Sequence, residues 1–355
     1  MNPIRFLSLA AGLVALLAAG CGSSGDDTSS TPATGTAAAA ATTPATTQKV
    51  SLALDWTANT NHTGVFVADK LGLYKKHGIE LEVLPYASTA PETLVSNGKA
   101  DFGFSYQAGV AYARAAGADV VAVYSPAAKG LYAIGVRADD DAIQSPKDLD
   151  GKTYAGFGTP DEGPELEYII QQDGGTGDFE TVTLDTAAYQ AVYSGKADFT
   201  IPVVTWEGVE AGLVGKPLKF FDLEDYGFPT QYSTLIISSE KYLSANPEVA
   251  KAFIAATAEG YEYAAEHPAE AAKILQDANP GVLKNDELVV QSQELLAKDY
   301  MKDAQGRIGY QDPEVWEKYG SFLFDNGLLV DGEGEKLTTK PDWSTFYTND
   351  LLPAQ

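Results

Sequence analysis

An internal repeat in the sequence limits the folds open to this chain. The pentapeptide Gly98–Phe102 (Gly-Lys-Ala-Asp-Phe) recurs unchanged as Gly195–Phe199, and Thr89 and Val95 also have identical counterparts at the same offset of 97 residues. That offset is longer than the repeat units of solenoid proteins, which span about 20 to 50 residues. We therefore predict two similar lobes, in each of which a helix ends at the glycine and the phenylalanine enters a strand.

Short apolar runs alternate with helical stretches in the first part of the chain. Val50–Leu54, Ile79–Leu84 and Asp101–Phe104 are typical of strands, whereas Val65–His77 and Pro91–Asn97 are typical of helices. This alternation predicts a mainly parallel sheet with helices on its faces. The expected fold class is α/β.

Two strand-like segments, Leu131–Val136 and Tyr232–Ser238, mark where the chain is expected to cross between lobes. After the second crossing the pattern is helical, over residues 247–267, 268–277, 286–300 and 313–326. We expect lobe one to comprise residues 49–136 and 232–355, with lobe two, residues 137–231, inserted into it. Ligands of two-lobed α/β proteins bind in the cleft between the lobes.

The first 48 residues have the features of export and anchoring. Arg5 precedes a mostly apolar stretch, Phe6–Ala19, which is shorter than the roughly 20 apolar residues that span a bilayer. Leu17–Gly20 resembles the lipobox of bacterial lipoproteins and precedes Cys21, the single cysteine of the chain. We predict a signal peptide over 1–20, lipidation of Cys21 and a disordered tether over 21–48, because Gly22–Gln48 consists almost entirely of small and polar residues.

The charge balance limits the partners. The chain has 49 acidic and 24 basic residues, which gives a net charge of −25. Such a charge argues against nucleic acid or an anionic membrane surface as a partner. A membrane contact is therefore expected through the lipid anchor.

Four aromatic residues follow strands at equivalent places in the two lobes. Trp56 and Tyr106 occur in lobe one, and Phe157 and Trp206 in lobe two. Side chains beyond the carboxyl ends of strands converge on the cleft of an open α/β protein. An aromatic residue at any one place is more often part of the core, but four at matching places favour a flat aromatic ligand held by stacking.

The loops that carry these aromatics are polar. The first contains Asp55, Asn59, Asn61 and His62, although its aspartate and asparagines are also suited to capping the next helix. The second, Gly156–Glu162, has glycines that let backbone approach a ligand closely and leads into a helix whose N–H groups suit an acceptor. It lacks the third glycine of a dinucleotide-binding motif.

The charged residues in the loops limit the range of expected ligands further. The loops supply Asp55, Glu162 and Glu207 but no arginine, the usual group for anion recognition. A sulfonate or nitrate is therefore disfavoured, although backbone amides are able to substitute for arginine. A neutral or cationic heterocycle with amino donors fits this pattern. With three histidines in the chain, no metal cluster is expected.

On these motifs the sequence resembles the solute-binding proteins of bacterial ABC importers that take up pyrimidine precursors of thiamine, such as formylaminopyrimidine and hydroxymethylpyrimidine. The resemblance covers nearly all of the chain after the tether and is strongest in Leu54–Thr57, Asn59–Gly64, Gly156–Pro160 with Glu162, Trp206 with Gly208 and Glu210, and Gly320–Leu329. It implies a type II periplasmic-binding fold that closes on a pyrimidine stacked between aromatics. It also implies ABC permease subunits as partners, a monomer without a cofactor, and a location on the outer face of the cytoplasmic membrane or in the periplasm.

Carried over residue by residue, the resemblance implies the ligand-binding residues Trp56, Asn59, His62, Tyr106, Phe157, Glu162 and Trp206. Three positions depart from the family pattern. Ala58, Phe157 and Gly163 stand where proline, tryptophan and a second glutamate are common. These departures keep riboflavin, the ligand of a related branch, open as an alternative, together with sulfonate, nitrate and taurine.

An enzymatic role is the remaining alternative. Fungal relatives of this fold synthesise the same pyrimidine from a histidine and pyridoxal phosphate with iron, and they resemble one another in a cysteine-rich segment that this sequence lacks. The predicted export signal also points away from a cytosolic enzyme. We therefore expect a binding protein without catalytic residues.

Overall fold

Two five-stranded sheets form the frame of the computed structural model, which describes residues 47–354. The predicted signal peptide, Cys21 and most of the tether lie outside the described residues. The first sheet contains β1 (Gln48–Ala53), β2 (Ile79–Leu84), β3 (Phe102–Ser105), β4 (Val121–Tyr124) and β10 (Leu235–Ser238), in the order β2-β1-β3-β10-β4. β1 runs parallel to β2 and β3, whereas β10 is antiparallel to β3 and β4.

The second sheet has the same mixed character. It contains β5 (Ala133–Arg137), β6 (Thr153–Gly156), β7 (Glu180–Thr183), β8 (Phe199–Thr200) and β9 (Leu218–Asp222), in the order β7-β6-β8-β5-β9. β6 is parallel to β7 and β8, and β5 is antiparallel to β8 and β9. The predicted α/β fold with two lobes is confirmed. β5 pairs within the second sheet, so the chain crosses before Ala133, a few residues earlier than the expected boundary at residue 136.

Helices cover both sheets. Those between the strands are α1 (Thr63–Lys70), α2 (Leu73–Lys76), α3 (Pro91–Ser96), α4 (Gln107–Ala115), α5 (Glu162–Gln172), α6 (Ala187–Tyr193) and α7 (Val209–Leu213). The C-terminal helices are α8 (Glu240–Ala245), α9 (Pro247–Glu266), α10 (Pro268–Ala278), α11 (Asp286–Asp299) and α12 (Pro313–Asp325). The single helix expected over 65–77 is divided, because Gly72 adopts a left-handed φ of 71°. Within residues 47–354, no helix is both long and apolar enough to cross a membrane.

The repeated pentapeptide performs the same structural task in both lobes. Gly98 and Gly195 have φ angles of 63° and 70°, which end α3 and α6. The carboxylate of Asp101 accepts a hydrogen bond of 2.8 Å from the backbone N–H of Ser51, and Asp198 accepts one of 2.8 Å from that of Thr153. Each aspartate therefore joins the entrance of one strand to its parallel neighbour, and the predicted helix end, turn and strand entry are confirmed.

Close packing between α1 and α9 fixes the helical layer on the first sheet. A Cβ atom added at Gly260 would collide with the carbonyl oxygen of Gly64 and lie 2.8 Å from the Cβ of Ala68. The ring of Tyr261 fills the space over Gly64. Because backbone is the obstacle at Gly260, the helices cannot admit a larger residue without moving apart.

We predict that Gly260→Ala lowers the free energy of unfolding by about 2 to 3 kcal/mol, because the added methyl group overpacks a helix crossing. Gly212→Ala is the matched control, since Gly212 lies in α7 with open space around it. The control is expected to be neutral or stabilising by up to about 1 kcal/mol through helix propensity. Urea unfolding measures both changes, and equal stability of the two variants would contradict the packing argument.

Candidate functional site

A cavity of about 640 Å³ lies where the loops that follow β1, β3, β6 and β8 meet. Lining residues come from the segment 55–61 after β1, from Tyr106 after β3, from the segment 157–162 after β6, and from the segment 201–207 after β8. Both sheets therefore contribute to its walls. The cleft expected from the strand topology is present.

Six of the seven residues predicted to bind ligand line this cavity: Trp56, Asn59, Tyr106, Phe157, Glu162 and Trp206. His62 does not. Its side chain is buried, 1% exposed, and Nε2 lies 2.9 Å from Oδ1 of Asp55, a residue that does line the cavity. The sequence pattern located the right loop but could not distinguish a residue that faces the cavity from one behind it.

An aromatic chain crosses the cavity. The ring of Trp56 lies 6.0 Å from that of Phe157 at 70°, and Phe157 lies 5.6 Å from Tyr189. The ring centroid of Tyr86 lies 5.4 Å from that of Trp56. Trp206 lines the cavity but also packs against a cluster from α10 and α11. Trp56 and Phe157 are thus edge-to-face neighbours in this structure and are not parallel plates.

Glu162 holds the loop that follows β6. Its carboxylate accepts hydrogen bonds of 2.9 Å from the backbone N–H of Phe157 and of 2.9 Å from that of Gly158. A side chain at Gly156 would collide with this carboxylate. Burial raises the pKa of Glu162. Its oxygens therefore accept hydrogen bonds from loop N–H groups, which would otherwise be free to donate to an acceptor on the ligand.

Two carboxyl groups that the sequence did not single out as ligand-binding bridge the lobes. Tyr112 in α4 donates a hydrogen bond of 3.0 Å to Asp161, and Tyr319 in α12 donates one of 2.7 Å to Glu165. Asp161 is 8% and Glu165 is 3% exposed. Burial raises the pKa of Glu165 well above its ordinary value. The spacing Asp161-Glu162-x-x-Glu165 was a signal available in the sequence, since it places acids on the first turn of one helix.

Two further carboxyl groups lie in the cavity wall. Glu92, in the first turn of α3, accepts a hydrogen bond from the hydroxyl of Ser105. Glu207 accepts one of 3.2 Å from the backbone N–H of Val203 and is 8% exposed. Burial raises the pKa of Glu207 from 4.5 to about 7. Nothing in the local sequence around Glu92 marked it as a cavity residue.

The cavity lining is strongly acidic. Its carboxyl groups are Asp55, Glu92, Asp161, Glu162, Glu165 and Glu207, and no lysine or arginine of the described residues joins them. Within residues 47–354, no group of three or more His, Cys, Asp or Glu side chains is placed to hold a metal ion. The hydrogen-bond acceptors and aromatic faces of the lining suit a flat ligand that donates N–H groups.

Comparison with known proteins agrees with this architecture. The chain is 31% identical over 292 residues to the formylaminopyrimidine-binding protein of Halalkalibacterium halodurans, which covers 78% of this chain and 84% of that protein. It is 26% identical over 326 residues to the 4-amino-5-hydroxymethyl-2-methylpyrimidine phosphate synthase THI5 of Saccharomyces cerevisiae, covering 86% of this chain and 88% of that enzyme.

Solved structures show which known fold the chain shares. The periplasmic aliphatic sulphonate binding protein SsuA of Escherichia coli superposes with a TM-score of 0.62 at 16% identity, over 84% of this chain and 97% of that one. The chain thus has a periplasmic-binding-protein fold, and its relatives support a solute-binding role. The family model described as NMT1/THI5 like matches residues 59–271, and the protein therefore belongs to the NMT1/THI5-like family.

Proposed function

We propose that this protein captures an aminopyrimidine precursor of thiamine, of the formylaminopyrimidine or hydroxymethylpyrimidine type, and delivers it to an ABC permease. The observation that carries the proposal is the acidic, aromatic cavity without a basic side chain among its described residues. An aminopyrimidine offers a flat ring to the aromatic groups and N–H donors to the carboxylates. The similarity to a formylaminopyrimidine-binding protein supports the same ligand class.

The helix N-termini at the cavity argue against an anionic ligand. A helix N-terminus attracts anions through its unpaired N–H groups and its dipole. Here α3 carries Glu92 in its first turn, and α5 carries Glu162 and Glu165. The protein's own carboxyl groups thus take the place that a sulfonate or nitrate would occupy, which favours the pyrimidine over those alternatives.

Binding is favoured over catalysis for a chemical reason. The resemblance to the fungal pyrimidine synthases implies pyridoxal phosphate chemistry as the alternative, and such chemistry starts from a lysine amine. No lysine lines the cavity within the described residues, and the buried His62 is already engaged by Asp55 and Asn59. The lining is therefore suited to hold a ligand.

The remaining part of the proposal is attachment to the membrane through the N-terminal region. Cleavage after residue 20 and lipidation of Cys21 would attach the protein to the membrane through the tether that the sequence predicts. One acyl chain binds membranes only marginally, so we infer a diacylated cysteine. Anchoring raises the local concentration of the binding protein at its permease.

Calorimetric titration tests the ligand class. The chain from Gly22 to Gln355 contains the whole compact unit Ala45–Gln355 and is expected to bind hydroxymethylpyrimidine and formylaminopyrimidine. Taurine and nitrate are expected to show no binding, because the acids at the helix N-termini repel anions. Riboflavin and thiamine complete the panel. Binding of taurine alone would refute the pyrimidine proposal, and binding of riboflavin alone would move the protein to the related branch.

Trp56→Ala is expected to weaken pyrimidine binding at least about tenfold, or about 1.4 kcal/mol, because it removes the ring at the centre of the aromatic chain. Tyr263→Ala is the control, since Tyr263 in α9 contacts the ring of His267 at a centroid distance of 4.5 Å and does not line the cavity. Titration of both variants measures the difference. Unchanged affinity in Trp56→Ala would return this residue to a purely structural role.

The raised pKa of Glu207 predicts a pH-dependent stability of the ligand-free protein. Because its pKa rises from 4.5 to about 7 on folding, the folded state holds the proton more tightly, and stability present below pH 4.5 is lost as the pH rises through 7. This group accounts for a loss of about 3 kcal/mol at most.

Glu207→Gln is expected to reduce the difference in unfolding free energy between pH 5 and pH 8, as measured by urea unfolding. Glu167→Gln makes the same charge change at an exposed position of α5 and serves as control. The dependence will not vanish, since burial also raises the pKa of Glu92 and Glu165. An identical pH dependence in the Glu207→Gln variant and the unchanged protein would contradict the prediction.

A further inference from the structure

His62 is a buried polar residue that lies behind the cavity wall and does not line the cavity. Its imidazole is 1% exposed and lies edge-on to Phe104, with ring centroids 4.5 Å apart at 73°. Nε2 lies 2.9 Å from Oδ1 of Asp55, and the backbone N–H of Asn59 donates to Nδ1 at 3.1 Å. Both ring nitrogens are thus engaged, and the ring packs against Phe104.

The contact with Asn59 assigns the tautomer. A backbone N–H group is able only to donate, so Nδ1 must be the accepting nitrogen and the ring hydrogen must lie on Nε2. Nε2 therefore donates to Asp55. The backbone N–H of Asn59 thus determines that the ring hydrogen lies on Nε2, where it is able to form the hydrogen bond to the carboxylate of Asp55.

Asp55 is the residue of this hydrogen-bonded series (Asn59, His62 and Asp55) that contacts the cavity. Its side chain is 28% exposed and lines the cavity, and Oδ1 is the atom that His62 holds. Within the described residues, Oδ2 has no protein hydrogen-bond donor. One oxygen is thus held by the protein while the other is free to accept from a ligand.

We propose that His62 is a positioning residue for ligand recognition: it holds Asp55 in one orientation so that Oδ2 accepts an N–H donor of the bound heterocycle. This inference rests on the proposed function. A carboxylate fixed before binding loses less side-chain freedom when the ligand arrives, which strengthens the interaction. The role differs from direct contact, because His62 acts only through Asp55.

Two substitutions separate the hydrogen bonds of His62. An asparagine places an acceptor near the position of Nδ1 and loses the donor to Asp55, whereas a glutamine places a donor near the position of Nε2. His62→Asn is expected to weaken hydroxymethylpyrimidine binding about tenfold, and His62→Gln is expected to recover most of that loss. His77→Asn is the matched control, since His77 pairs with Glu259 away from the cavity.

A double-mutant cycle shows whether His62 acts through Asp55. In an Asp55→Ala background, His62→Asn is expected to change affinity by less than about twofold, because the group that it positions is gone. Titration calorimetry on the chain from Gly22 to Gln355 supplies the affinities, and urea unfolding records stability separately. Equal losses in both backgrounds would mean that His62 only supports the loop, and would overturn the inference.

Nitrogen NMR of the ligand-free protein gives a readout that is independent of the ligand. The His62 ring is expected to show the Nε2–H tautomer, and an Nδ1–H tautomer would overturn the inference whatever the protein binds. If the unchanged protein binds no pyrimidine, the proposed function fails and the inference fails with it. If it binds pyrimidine but the cycle shows no coupling, only the role of His62 fails.

Discussion

The burial of carboxyl groups between the lobes is the constraint on which the site depends. Hydroxyl groups of Tyr112 and Tyr319 donate to Asp161 and Glu165, and no lysine or arginine of the described residues lines the cavity beside them. Unpaired buried charges are costly, so such groups are held by hydrogen bonds or stay protonated. The same contacts join α4 and α12 to α5. The contacts that join these helices therefore also contribute to the acidic character of the cavity.

This acidity fits the ligand class that we propose, although the fold is shared with a sulphonate-binding protein. Glu92 lies in the first turn of α3 and Glu162 in that of α5, and both line the cavity. Glu162 binds the loop N–H groups of Phe157 and Gly158 from within. Acids in these first helical turns disfavour an anionic ligand, which supports the aminopyrimidine that we propose.

The sequence indicates which loops form the cavity walls better than it indicates the role of each residue in them. Trp56, Tyr106 and Phe157 were found because a strand end determines where the following residue lies. His62 was predicted to contact the ligand, but it lies behind Asp55. The segment between these two residues is an irregular loop, which has no periodicity from which the direction of a side chain can be predicted. Glu162 was correctly placed in the lining, but its contacts show that it also holds the loop.

The sequence alone determined the α/β class and the two similar lobes, because hydrophobic period and the repeated Gly-Lys-Ala-Asp-Phe pentapeptide are local signals. Only the tertiary structure decided that β5 joins the second sheet, because its apolar sequence is equally suited to pair with strands of the first sheet or of the second. It alone also brought Tyr319 to Glu165, which are 154 residues apart. A hydroxyl and a carboxyl that meet across such a distance leave no pattern in the chain, because their pairing is created by the packing of the lobes.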